Sequence, residues 1–159
     1  MNNMKKYIFL ILMSLLSESK AQWTTKTVEN GFDSAYRVAI CHSTTGKEFL
    51  KMVKMSDGGV LLLLYTGYVC TENPAIDYTF KTASGWEPFS NKGVTSTDKK
   101  KIYLSSNLTE SIMLPYFKET SLFKIRLDDE HCGTTIYQFN MVGSTTAYDF
   151  IESDVTPTE

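Results

Sequence analysis

The sequence predicts a mainly β protein, either an antiparallel β-sandwich or a curled sheet, carrying two short helices. Three observations lead there. Short runs of alternating apolar and polar residues recur along the chain. Turns built on glycine and asparagine separate them, and helical patterning is confined to two places. Strands and helices do not alternate regularly, which disfavours a doubly wound nucleotide fold.

The Thr-rich run Trp23 to Val28 reads as an edge strand, and Asn30-Gly31 turns the chain after it. Ala35 to His42 sets Tyr36, Val38 and Ile40 against Arg37. Thr44-Thr45-Gly46-Lys47 ends that run, and Glu48 to Met55 follows. Ser56-Asp57-Gly58-Gly59 is a hairpin turn, because glycine takes positive φ at little steric cost. Val60 to Tyr65 is the most apolar stretch beyond the N-terminal region. Its short length and the flanking Gly58, Gly59 and Gly67 favour a central strand buried on both faces. Ile76, Tyr78 and Phe80 alternate with Asp77, Thr79 and Lys81, a half-buried strand, and Ser84-Gly85 turns into Trp86.

The polar, lysine-rich segment Ser90 to Lys101 reads as a long exposed loop or hairpin tip. Ile102 to Leu104 is a short strand. A helix is expected over Leu108 to Met113, capped by Ser106 or Asn107, with Pro115 limiting its run. Leu122 to Leu127 and Thr134 to Met141 should pair as a hairpin joined by Asp128 to Gly133. A second helix starts at Ser144, with that serine as its cap.

Residues 1–21 read as a cleavable secretory signal peptide, and residues 22–159 as a single β-rich exported domain. Lys5-Lys6 precede the apolar run Tyr7 to Met13, and Ser19 and Ala21 stand at the small-residue spacing of a cleavage site. The apolar segment is about ten residues, short of the roughly 20 that a permanent span needs, so no transmembrane segment is expected in the mature chain. The leader is of bacterial type and implies the periplasm or the medium. The whole chain has net charge −2. Losing Lys5, Lys6, Lys20 and Glu18 with the leader takes this to about −4. That balance argues against nucleic acid as a partner.

Three cysteines, Cys41, Cys70 and Cys132, in an exported chain imply one disulfide and one spare thiol. If residues 35–70 form a three-strand meander, Cys41 and Cys70 share one end with the strand from Glu48 between them. Two strand spacings of about 4.8 Å exceed direct disulfide reach. The expected pair is therefore Cys70 with Cys132, leaving Cys41 as a buried thiol. Each histidine adjoins a cysteine, in Cys41-His42 and His131-Cys132, and two of each would suit zinc. Neighbours on a strand face opposite sides, however, and no CxxC or HxxxH spacing is present. No metal and no cofactor is assigned. Asp128-Asp129-Glu130 lacks the spacing and glycine of a calcium loop and reads as a solvated hairpin tip.

No GxSxG elbow is present. A cysteine with the other histidine, or carboxylates among Asp77, Glu87 and Glu110, are formally available, but no spacing selects them. No catalytic residue is assigned, and an enzyme is less favoured than a binding module. Asn107-Leu108-Thr109 matches the glycosylation pattern, but Asn107 has a plainer role as a helix cap. Most aromatic residues should lie in the core or in cross-strand pairs. Trp86-Glu87-Pro88-Phe89 is the exception, because it adjoins the polar 90–101 segment. Trp86, Glu87 and Phe89 are thus candidate binding residues at a rim, for a sugar ring or a protein surface. The expected function is a non-catalytic exported domain that binds a protein or glycan in the cell envelope or outside it. The alternatives are a small secreted hydrolase or carbohydrate-binding module, and then a metal or redox protein using the Cys-His pairs.

Overall fold

A computed structural model describes residues 23–29, 35–55, 58–104 and 113–153. The strands are β1 (Trp23–Val28), β2 (Tyr36–His42), β3 (Phe49–Lys54), β4 (Val60–Tyr65), β5 (Ala75–Thr82), β6 (Gly85–Lys92), β7 (Val94–Thr95), β8 (Lys101–Leu104), β9 (Leu122–Asp129) and β10 (Gly133–Asn140). The helices are α1 (Leu114–Glu119) and α2 (Ser144–Glu152). The strands make two antiparallel sheets, one of six in the order β1-β2-β3-β4-β8-β7 and one of four in the order β10-β9-β5-β6. Among the described residues this is the mainly β, antiparallel architecture with two short helices that the alternation predicts, although only α2 stands where a helix is expected. The leader, the Asn30-Gly31 turn and the helix expected over Leu108 to Met113 with its cap lie outside or largely outside the described residues.

Register explains the core. Cys41 pairs with Leu50, Leu50 with Leu64, and Leu64 with Ile102, one row across the larger sheet. In the smaller sheet Ile76, Tyr78 and Phe80 meet Leu127, Ile125 and Phe123. Side chains alternate with period two, so each row commits its whole strand face to one side. These two inner faces, with both helices, form one apolar cluster. Phe80 is its hub. It stacks on Phe123 at 4.7 Å and on Tyr116 of α1 at 5.1 Å, and lies 5.9 Å from Phe117.

The sheets are joined at two corners. The chain leaves β6 and enters β7 through Gly93, where an added Cβ would lie 2.3 Å from Ile102 Cγ2 and 2.5 Å from Ile76 Cδ1. Only glycine lets the strand bend that close over two core isoleucines. At the second corner Ser43 bridges Phe139, and the Thr44 N–H donates to the Gln138 carbonyl at 2.8 Å.

Helix α2 packs across β1, β2 and β3, burying Ala147 and Ile151. Two cations on the inner side of the larger sheet receive its C-terminal end. Arg37 Nη1 donates to the carbonyls of Phe150 at 3.0 Å and Ser153 at 2.8 Å, and Lys54 Nζ donates to that of Glu152 at 3.0 Å. Positive groups there satisfy carbonyls that the helix leaves open and meet the negative end of its dipole. Among the described residues no helix is long and apolar enough to cross a membrane.

Two sequence expectations need correction. Ser90 to Lys101 is not one long loop, and the hairpin tip expected as its alternative is confined to 96–100, between β7 and β8. β6 runs on to Lys92, β7 follows, and a turn closed by Lys99 N–H to the Ser96 carbonyl at 2.8 Å leads into β8. Its polar residues sit on strands near the sheet margins, where outward side chains meet water. Pro115 lies in the first turn of α1, where its missing N–H is not needed; the helix it is expected to limit lies largely outside the described residues. Ser144 does not cap α2. Gly143, at φ 89°, holds that position, and the buried Ser144 hydroxyl donates to the Phe117 carbonyl, tying α2 to α1.

Candidate functional site

The inner faces are spent on the core, so the surfaces open to any ligand are the outer faces and the hairpin ends. Of the three candidate rim residues, the structure separates one from two. Trp86 is 45% exposed on the outer side of β6. Phe89 turns the other way and packs edge-on against Phe80 and Tyr116. Glu87 shares the Phe89 side, because residues two apart on a strand face alike.

Around Trp86 the outer face of the smaller sheet is polar and ordered. Lys124 of β9 places its ammonium 4.8 Å from the centre of the Trp86 ring, an attraction to the negative π face that fixes the indole. Farther along the strands Arg126 is clamped between two carboxylates. It pairs with Asp77 through Nη2 and with Asp128 through Nε at 3.1 Å. Ser90 donates to Asp77 at 2.6 Å, and Thr134 donates to Asp128 at 2.6 Å. Asp77, Thr79, Pro88, Ser90, Lys124 and Arg126 border a shallow depression of about 430 Å³, and Ile136, 64% exposed, rises at its side. From Trp86 to Ser90 is about 13 Å of extended strand, so the face suits an elongated ligand. Of this set the sequence reading singled out Trp86 and named Asp77 only as a formal carboxylate. Lys124, Arg126 and Ser90 were missed, although the alternation of β9 already puts Lys124, Arg126 and Asp128 on one face.

A second depression of about 450 Å³ continues past the end of this face, bordered by Thr71, Asn73, Lys92, Asp128 and Glu130. Here the expectation of a solvated acidic tip is corrected for Asp129, which is 4% exposed. Its Oδ2 accepts from the backbone N–H of Cys70 at 2.7 Å and Thr71 at 3.1 Å. Its Oδ1 accepts from those of His131 at 3.0 Å and Cys132 at 3.2 Å. Burial pushes the Asp129 carboxyl up, but the four N–H groups together pull it below its ordinary value of 3.8. Cys70 and Cys132 stand at disulfide distance, with Cα atoms 5.8 Å apart. Cys70, Asp129 and Cys132 gather their ligand atoms within 4.8 Å of one another. The sulfurs face each other and the carboxylate is filled by N–H donors, so the cluster is a staple joining the hairpin end to the chain after β4.

The Cys-His pairs split as strand geometry requires at the first of them. Cys41 faces the core, fully buried and free, with Sγ 3.4 Å from the Asn140 carbonyl, and burial pushes its thiol up to about 12. His42 is exposed on the opposite side, its ring 5.6 Å from that of Phe49. Asp77 and Glu87 lie on opposite faces, and Glu110 lies outside the described residues. Comparison with protein-family models, with curated proteins and with solved structures found no match.

Proposed function

We propose that this chain is a non-catalytic, exported binding module that takes a glycan on the outer face of its smaller sheet. Trp86 carries the reading. It is a large aromatic side chain left exposed on a sheet whose other face packs against the core, held in place by Lys124, and followed along the strands by a prearranged polar row. The apolar C–H face of a sugar ring stacks on such an indole, and the clamped Arg126, Asp77 and Ser90 offer donors and acceptors to its hydroxyls. The leader-like residues 1–21 support export, and the Cys70–Cys132 pair fits an oxidising compartment.

Tryptophan fluorescence provides the test. The chain has two tryptophans, and Trp23 is only 9% exposed, so ligand-dependent quenching reports on Trp86. Titration across a panel of polysaccharides should quench the parent and leave Trp86→Ala unresponsive. If no polysaccharide changes the emission, or if Trp86→Ala still binds, the glycan reading is lost. Export is tested separately: N-terminal sequencing of protein recovered outside the cytoplasm should begin near Gln22.

A further inference from the structure

The outer face of the larger sheet differs from the face just described. An antiparallel sheet packed on one side ordinarily presents polar residues on the other. Here the outward rows are apolar. Thr24, Ile40, Lys51, Leu63, Tyr103 and Val94 form one row across six strands. Val38, Val53 and Leu61 form the row beside it, and Phe49 and Tyr65, stacked at 4.3 Å, the row on the other side. Val38 and Leu63 are already buried, whereas Ile40, Val53, Leu61, Phe49 and Tyr65 are half-buried. Val94 is 57% and Tyr103 36% exposed.

The charge on this face is one-sided. Lys26, Lys51 and Lys101 point outward, and no aspartate or glutamate occupies an outward position among the described residues of β1, β2, β3, β4, β7 and β8. Lys101 rests over the Tyr65 ring at 5.7 Å. Lys51 sits in the middle of the apolar rows. Partial burial, and then the like charges of Lys26 and Lys101, hold its ammonium below the ordinary range. The chain as a whole is net negative, at −2, so this face is set apart from the rest of the surface.

From this juxtaposition we infer that the outer face of the larger sheet docks an acidic polypeptide segment, one carboxylate meeting Lys51 while apolar residues on either side cover Ile40, Tyr103 and Val94. A carboxylate supplies what Lys51 lacks, and apolar flanks bury what the rows leave open. A second copy in face-to-face register brings lysine against lysine. A bilayer would have to carry Lys51 below the headgroups along with the apolar side chains around it, which is costly for an unpaired cation. The site is separate from the Trp86 face and stands whether or not a glycan binds there.

The test uses the full chain as bait for a displayed library of random linear peptides. The selected peptides should carry Asp or Glu flanked by Leu, Ile or Phe. Their affinity should fall about tenfold or more in Lys51→Met, as at a central interface residue. It should also fall in Tyr103→Ser, weaken with added salt, and be unchanged in Trp86→Ala. Thermal melting of Lys51→Met at or above the parent midpoint establishes that the loss is not unfolding. The inference is overturned if the selected peptides lack carboxylates or if Lys51→Met binds as tightly as the parent. It is equally overturned if vesicles of phosphatidylglycerol capture the chain through Lys51 more tightly than any selected peptide does.

Discussion

The two outer faces answer the same geometric demand in opposite ways. On the smaller sheet each of the central charges has a partner: Arg126 lies between Asp77 and Asp128, Ser90 and Thr134 complete those carboxylates, and Lys124 rests on Trp86. On the larger sheet, among the described residues, Lys51 has the like charges of Lys26 and Lys101 for company. Both sheets already bury their inner faces, so neither outer face is needed to close the core. A polar network that is complete without a ligand is a preorganised surface, whereas a cation among apolar side chains is an incomplete one. On the two proposals made above, the difference separates a face arranged for a polar ligand from one that an acidic partner would complete.

The largest effect that can separate the two faces comes from the staple at one end of the smaller sheet. Cys70 and Cys132 are 62 residues apart. Replacing both by serine should cost about 4 kcal/mol, on the chain-entropy view of a loop that long, as read by urea unfolding. Asp129→Ala should cost about 1–3 kcal/mol, because it strands backbone N–H groups beside a buried position. The pH sign follows from the lowered carboxyl of Asp129. The unfolded state binds its proton more readily, so this contribution is present at neutral pH and is lost as pH falls through the folded value, below 3.8. Urea midpoints of Asp129→Asn should therefore lose less on acidification than those of the parent. Hydrogen exchange should place the damage at the ends of β9 and β10 and spare β2 and β3.

Much of this was legible in the sequence, for a specific reason. Strands with one buried face print their alternation, and Ile76, Tyr78 and Phe80 did so clearly. The meander from Tyr36 to Tyr65 could be read from its turns. Asp129 could not, because its role depends on four N–H groups from two segments, Cys70-Thr71 and His131-Cys132, that only the fold brings together. The apolar outer face was half visible. Val60 to Tyr65 showed itself as apolar on both sides, but that its outward Leu61 and Leu63 line up with Val53 and Ile40 is a matter of register. Ser144 misled because a serine at a helix start usually caps it, and here a glycine at positive φ had taken the place.

A smaller effect sharpens the comparison from the larger sheet. Lys51→Met should stabilise the free chain by about 0.5 kcal/mol, a modest gain because solvent screens much of the repulsion. The lysine is held below its ordinary 10.5, so the unfolded state binds more protons in the window between the folded value and 10.5. The stability of the parent should rise relative to that of Lys51→Met as pH climbs through that window. A variant that melts higher yet loses its partner marks a residue retained at a cost to folding. If Lys51→Met instead melts lower, the lysine stem supports the sheet and the face is less incomplete than its charges imply.

The smallest expected change is Arg126→Ala. Arg126 is half exposed and its ion pairs lie in water, where exposed pairs contribute about 0–1 kcal/mol. Its removal also leaves Asp77 and Asp128 on neighbouring strands without a cation between them, a repulsion that solvent again weakens. The unfolding free energy should therefore move by no more than about 0.5 kcal/mol, while quenching of Trp86 by a bound polysaccharide should weaken strongly. That divergence is what sets a recognition network apart from a structural one. A drop of several kcal/mol would mean that Asp77, Arg126 and Asp128 hold β5 to β9, and the polar order of this face would then be explained by folding alone.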